Sequence, residues 1–94
     1  MSEQANVTRP RGPQVIVSED PRCRGQYLKS YDPEAHDGRG DCEWTLDRSQ
    51  AQIFPDFIAA FEAWRQVPKS RPKRDDGRPN RPLTTFSVTF EPAE

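Results

Sequence analysis

The sequence of 94 residues predicts an α+β fold: a small antiparallel sheet of about four strands with one amphipathic helix packed on one face, in the order β-β-β-α-β. Apolar and polar residues alternate in two stretches, which is typical of strands with one wet face. In a further stretch the apolar residues recur every 3.6 positions, as on one face of a helix. With 32% hydrophobic and 31% charged residues, the chain can build one small core. We therefore expect a single domain over residues 14–92.

Three strands are predicted in the first half of the chain. A run of β-branched residues between a proline and an acidic turn predicts a strand over residues 14–18. Residues 26–31, rich in tyrosine, form the second predicted strand. Residues 32–40 contain the turn formers of a long hairpin loop. The third strand is predicted over residues 42–46, where apolar and polar side chains alternate.

The helix is the clearest predicted element. Asp56 is placed to cap its start, and Pro68 ends the pattern after Gln66. We expect Trp64 to be buried between helix and sheet, against Phe86 or Val88. One helical face is predicted to hold these residues: Phe57, Ile58, Phe61, Trp64 and Arg65.

The remaining segments are predicted to form loops, one last strand and an N-terminal arm. Residues 47–50 are compatible with one helical turn. Residues 68–82 hold four prolines and no other apolar residue, which predicts a loop. Phe86, Val88 and Phe90 then alternate with polar residues and predict a C-terminal strand with an apolar inner face. Residues 1–13 are predicted to be a disordered N-terminal arm.

The residues that usually carry metal sites and catalysis are scarce. Cys23 and Cys42 are the only cysteines and His36 is the only histidine, so a four-thiolate zinc site is impossible. The cysteines are expected to be reduced thiols. The sequence also lacks the glycine-rich, serine and histidine motifs of common enzyme classes. We expect no metal, no cofactor and no catalytic activity.

The chain is not expected to contact a membrane. Its apolar stretches are broken by charges within a few residues, and no apolar run of signal-peptide length follows Met1. We therefore expect a cytoplasmic protein. The net charge of -1 indicates no overall attraction to nucleic acid or anionic lipid.

The charges are nevertheless unevenly distributed. Between residues 31 and 62 there are eight acidic residues and two arginines, whereas residues 68–82 contain six basic and two acidic residues. Such polarity suits docking onto a charged partner. Arg78 and Arg81 are candidates on the basic side, and Pro79 and Pro82 are expected to hold Asn80 and Arg81 in one geometry on a rigid loop. Five carboxylates crowd the predicted hairpin and are the other candidate partner-binding residues: Asp32, Glu34, Asp37, Asp41 and Glu43.

Three interpretations of this pattern stay open. The acidic residues could bind a lysine- and arginine-rich groove that normally receives nucleic acid, in the place of phosphates. The basic loop could instead bind phosphates directly. The charges could also serve only to keep the surface solvated. The phosphate-binding alternative would use these residues: Arg71, Lys73, Arg74, Arg78 and Arg81.

Parts of the chain resemble small proteins of bacteriophages, prophages and mobile elements. The resemblance lies in Phe57, Glu62, Ala63 and Trp64 of the helix, and in the PNRPLT turn of residues 79–84 that leads into the last strand. Proteins of this group include inhibitors of host defence, such as anti-CRISPR proteins. The resemblance implies a host protein or nucleoprotein complex as the partner, and it assigns no role to an individual residue.

Overall fold

In a computed structural model that describes residues 12–93, the chain forms the predicted α+β fold. Its four strands make one antiparallel sheet in the order β3-β2-β1-β4. The sequence-based prediction of fold class is confirmed. Among the described residues the regular elements are β1 (Gln14–Ser18), β2 (Tyr27–Asp32), β3 (Asp41–Thr45), the helix α1 (Phe57–Trp64) and β4 (Val88–Pro92).

Strand β1 lies at the centre of the sheet. It pairs with β4 along its whole length, with Ile16 opposite Phe90, and with β2 through Val17 opposite Tyr27. All five of its residues are buried. Because side chains of a strand alternate between the two faces, β1 contributes to a core on each side of the sheet. The β-branched run that predicted this strand therefore belongs to a strand buried on both faces.

The two cores differ in size. The larger one has Ile16, Leu28 and Leu83 at its centre, with Ala60 of α1 packed into it. The smaller one lies on the other face of the sheet and is formed by Val15, Val17 and Ala51, with Tyr27 and Ala93 beside them. The helix packs only on the larger core, as the sequence predicted for one face of the sheet.

Helix α1 begins and ends close to the predicted positions. The Ala59 amide donates to Asp56 Oδ1 at 2.8 Å, so Asp56 is the N-cap. Trp64 is half-buried and donates from Nε1 to the Phe86 carbonyl oxygen at 3.1 Å, which places it against the predicted neighbour. The prediction for Ile58 is wrong, since this residue is 52% exposed. Ala60 is fully buried, and Ile58 lies about 200° around the helix from it.

Several strand boundaries differ from the prediction: β2 is displaced by one residue towards the C-terminus and β3 by one residue towards the N-terminus. Strand β3 ends at Thr45, and Leu46 is 77% exposed. The chain turns there because Asp47 accepts a hydrogen bond from the Ser49 amide at 2.9 Å and caps a short 3-10 helix at Arg48–Gln50. Strand β4 begins at Val88, since Pro82–Thr85 forms another 3-10 turn. The predicted apolar face of the last strand still packs on the larger core.

Residues 68–81 contain no helix or strand, in agreement with the predicted loop, and Pro82 begins the 3-10 turn, but the segment folds back on itself. The Arg74 amide donates to the Arg78 carbonyl oxygen at 2.8 Å, and Lys73 and Pro79 form an isolated antiparallel β-bridge. Residues 1–11 of the predicted arm lie outside the described residues. Within residues 12–93, no helix has the length and apolar character needed to cross a membrane.

Candidate binding surface

The acidic residues of the β2–β3 hairpin lie largely on one face. Asp32 is directly opposite Asp41, and Ser30 is opposite Glu43, to which its hydroxyl donates at 3.1 Å. Cross-strand partners share a face, and residues two apart on a strand do as well. Asp32, Asp41 and Glu43 therefore form one patch, which we call the acidic face. It is exposed and lies on the side of the hairpin opposite the larger core.

Asp37 lies at the tip of the hairpin, in the Ala35–Gly38 turn. This turn is classified as helical, but His36 and Asp37 have left-handed backbone angles, with φ of 54° and 57°. Aspartate and histidine tolerate such angles better than β-branched residues do. The exposed Asp37 carboxylate adds negative charge beyond the end of the acidic face.

Glu34 has a different role from the other four carboxylates. Its Oε2 accepts the Lys69 amide at 2.5 Å, and its Oε1 accepts the Ser70 amide at 2.9 Å. The hydrogen bond from the Lys69 amide, followed by those from Ser70, lowers the pKa of the Glu34 carboxyl. Glu34 thus ties the hairpin to the loop of residues 68–82, and its oxygens are already occupied within the protein.

A second contact joins the same two segments. Asn80 Nδ2 donates to the Gly38 carbonyl oxygen at 2.7 Å and to the Arg71 carbonyl oxygen at 2.9 Å. We call these bonds and those of Glu34 the hairpin–loop contact. The acidic hairpin and the basic loop, which are far apart in the sequence, therefore form neighbouring surfaces.

Much of the positive charge in the basic loop is paired locally. Arg71 lies 3.1 Å from Asp75, Arg74 lies 3.2 Å from Asp76, and Arg78 lies 3.9 Å from the same Asp76 carboxylate. The hydrogen bond from the Arg78 amide is the main cause of a lowered pKa of the Asp76 carboxyl. These pairs are exposed, so each contributes little to stability. These ion pairs nevertheless reduce the positive electrostatic potential of the loop surface that a partner would meet.

Arg78 and Arg81 occupy different environments. The Arg78 side chain is 78% exposed. Arg81 is half-buried and borders an open groove along the second half of α1, together with Glu62 and Arg65. The Arg81 carbonyl oxygen also accepts hydrogen bonds from the Thr84 amide and hydroxyl. Arg78 is thus the more exposed of the two candidate arginines.

A cleft of about 400 Å³ lies between the hairpin turn and the basic loop. Three guanidinium side chains border it: Arg39, Arg71 and Arg74. Three aromatic or aliphatic side chains border it as well: Tyr31, Leu83 and Phe86. Sequence reasoning missed this cleft, because nothing in the sequence connects position 39 with positions 71 and 74.

The described residues include two cysteines and one histidine. Both cysteines are free, and burial raises the pKa of the half-buried Cys42 thiol, which borders the cleft. His36 is exposed on the hairpin turn. Across residues 12–93, no three His, Cys, Asp or Glu residues are arranged to hold a metal ion.

Comparisons of this chain with protein-family models, with curated protein sequences and with solved structures give no match. Inference about its function therefore depends on the residues and surfaces described above.

Proposed function

We propose that this chain is a small non-catalytic protein, of the kind that phages and mobile elements encode, which binds and inhibits a host protein or nucleoprotein complex. It would act in the host cytoplasm, in the manner of an anti-CRISPR protein. The acidic face would occupy a lysine- and arginine-rich groove that normally receives nucleic acid.

The distribution of ion pairs is the main observation in support of this proposal. Among the ion pairs of the described residues, none includes Asp32, Asp41 or Glu43, whereas several arginines of the basic loop are paired. Asp32 and Asp41 lie directly opposite each other, an arrangement that destabilises a hairpin. Within residues 12–93, Asp32 and Glu43 each accept one hydrogen bond from a neutral donor, the Glu34 amide and the Ser30 hydroxyl, and no ion pair offsets the repulsion. A basic partner would turn the repulsion into attraction and speed association.

The geometry of the hairpin supports the same role. Asp41 and Glu43 are two residues apart on one strand, which separates their positions by about 6.7 Å. The hairpin–loop contact holds the turn in place, so little ordering is needed when a partner binds. Carboxylates in a rigid row can accept hydrogen bonds from arginine and lysine side chains as phosphates do.

The alternative is a nucleic-acid-binding protein that uses the basic loop. The exposed guanidinium of Arg78 favours it, as does the excess of basic over acidic residues in positions 68–82. Such a protein would bind DNA or RNA with an affinity that falls steeply as salt increases.

The first test neutralises the acidic face without removing its hydrogen-bond acceptors, in the triple variant D32N/D41N/E43Q. Purified CRISPR effector ribonucleoprotein complexes are incubated with the protein, and their binding to target DNA is measured. We expect the wild-type protein to reduce target binding by at least one effector type. The variant should associate with that effector at least about tenfold more slowly at low ionic strength, because electrostatic steering is lost.

The matched control is K73Q/R78Q, which removes two charges from the basic loop. This control should inhibit as the wild type does. If the wild type inhibits no effector, and binds DNA or RNA in a gel-shift series with an affinity that K73Q/R78Q reduces, the alternative function is correct. Equal inhibition by wild type and the acidic-face variant would show that the acidic face is not the binding surface.

A further inference from the structure

The cleft between the hairpin turn and the basic loop has the size and the walls of a small-molecule site. Its volume of about 400 Å³ falls within the range of about 300–1,000 Å³ that is usual for ligand pockets. Residues from two distant parts of the chain form it. Gly38 and Gly40 border it from the hairpin, and Asn80 and Pro82 border it from the loop.

The polar side of the cleft is suited to an anion. Arg39, Arg71 and Arg74 border it, and Asp41 is the sole acidic residue among the described residues that do so. Arg39 forms no ion pair within residues 12–93. Arg71 is paired with Asp75, whose side chain is 100% exposed. Because such a surface ion pair is weak, the Arg71 guanidinium can reorient towards a ligand at a small cost in free energy. Several guanidinium groups together match the oxygens of a phosphate.

The lining of the cleft also includes apolar side chains that suit a flat apolar group. These are Tyr31, Leu83 and Phe86, with Leu83 buried in the core. The ring of Phe86 contacts the ring of Trp44, with centroids 5.2 Å apart, and the Arg22 guanidinium lies over the Phe86 ring at 4.5 Å. The Tyr31 phenol is neutral at physiological pH, and burial raises its pKa further, to about 12, so its hydroxyl does not repel an anion.

The walls of the cleft are held in position before any ligand binds. Asn80 joins Gly38 on one wall to Arg71 on the other, through hydrogen bonds of 2.7 and 2.9 Å. A methyl group at Gly38 would lie only 2.4 Å from Arg71 Cβ, so the walls are in close contact beside the cleft. A site held in this way binds with a small loss of conformational entropy.

We infer that this cleft binds a nucleoside monophosphate, with the phosphate on Arg39, Arg71 and Arg74 and the base on the Tyr31, Leu83 and Phe86 side. The ligand could be a free nucleotide or a terminal nucleotide of a single strand, since both present the same chemistry. This site lies mainly on the side of the hairpin that faces the larger core, and among the described residues it shares only Asp41 with the acidic face.

The test is calorimetric titration of the full chain with AMP, GMP, CMP and UMP, and with the corresponding nucleosides and inorganic phosphate. At least one nucleotide should bind with a Kd below about 1 mM. The corresponding nucleoside and inorganic phosphate should each bind at least about tenfold more weakly than that nucleotide, because each of them makes only part of its contacts. A single-stranded hexanucleotide measured beside the mononucleotide distinguishes the two sources. Tighter binding of the strand indicates a terminal nucleotide, and equal or weaker binding indicates a free one.

Variants of the lining arginines locate the site. R39Q and R74Q should each weaken nucleotide binding about tenfold, through the loss of a charge-assisted hydrogen bond. K73Q and R78Q remove the same charge from residues that do not border the cleft, and they should change the Kd less than twofold. The inference is overturned if no nucleotide binds, if phosphate alone binds as tightly, or if K73Q and R78Q weaken binding as much as R39Q and R74Q do.

Discussion

Gly38 lies where the hairpin packs against the basic loop. Its φ of 87° lies in the left-handed region, which glycine adopts without cost and other residues avoid. A Cβ atom placed there would lie 2.4 Å from Arg71 Cβ and 3.1 Å from Ser70 Oγ. The absence of a side chain at Gly38 therefore allows both the left-handed backbone of the turn and the close packing against the neighbouring loop.

The substitution Gly38→Ala separates these two roles when it is compared with Gly77→Ala. Gly77 has nearly the same φ, 86°, but open space around its missing side chain. Backbone strain alone should cost about 1 kcal/mol in Gly77→Ala. Gly38→Ala adds overpacking against Arg71 and should cost about 3 kcal/mol in total. Urea unfolding of both variants measures the difference, and equal losses of stability would show that the hairpin–loop contact adapts freely.

At the scale of single elements, several carboxylates accept hydrogen bonds from backbone amides at the ends of helices, turns and loops. Asp47 and Asp56 accept amides two and three residues further along the chain, and the pattern of the sequence predicts such local caps. Glu34 accepts the amides of Lys69 and Ser70, which are 35 and 36 residues away. No local rule predicts that partnership. Sequence reasoning could therefore identify the acidic hairpin as a group, but it could not separate Glu34 from its exposed neighbours.

The Glu34 contact gives the protein a pH-dependent part of its stability. Hydrogen bonds from Lys69 and Ser70 lower the folded-state pKa of Glu34 below its ordinary value of 4.5. The unfolded chain then binds a proton more readily than the folded protein does. The stabilisation is fully present above about pH 4.5 and is lost as the pH falls through the lowered pKa.

Urea unfolding from about pH 3 to pH 7 measures this dependence. In Glu34→Gln the loss of stability towards low pH should be smaller than in the wild type, because the residue no longer titrates. Glu43→Gln is the matched control, because it removes a carboxylate from the same hairpin but leaves the hydrogen bonds between Glu34 and the loop of residues 68–82 in place. In Glu43→Gln the loss of stability that depends on those bonds should therefore remain. Identical profiles for Glu34→Gln and wild type would exclude the contact as the source of the pH dependence.

For the molecule as a whole, the sequence predicted the fold class but not the arrangement that joins its surfaces. Alternation and helical periodicity are local, and they predicted the strands, α1 and its cap. The position of β1 between β2 and β4 depends on pairing across the entire chain, as does the contact between the hairpin and residues 68–82. The cleft is formed by that contact, so it could not be predicted from composition or spacing.

Because β1 contributes to both cores, we expect the domain to unfold in one cooperative transition. Ile16 is fully buried in the larger core, while Val17 belongs to the smaller core on the other face. Ile16→Ala should cost about 2–5 kcal/mol, since it leaves a cavity between sheet and helix. Ile58→Ala is the matched control, and it should change stability by no more than about 0.5 kcal/mol because Ile58 is 52% exposed.

Val17→Ala tests whether the two cores unfold together. Trp44 and Trp64 pack against the larger core, so their fluorescence reports its unfolding. If the central strand couples the two cores, Val17→Ala should lower the midpoint of the tryptophan transition and the midpoint of far-ultraviolet circular dichroism by the same amount. A tryptophan midpoint that stays at the wild-type value, while the circular dichroism midpoint falls, would show that the smaller core unfolds separately. In that case β1 would not couple the two faces of the sheet.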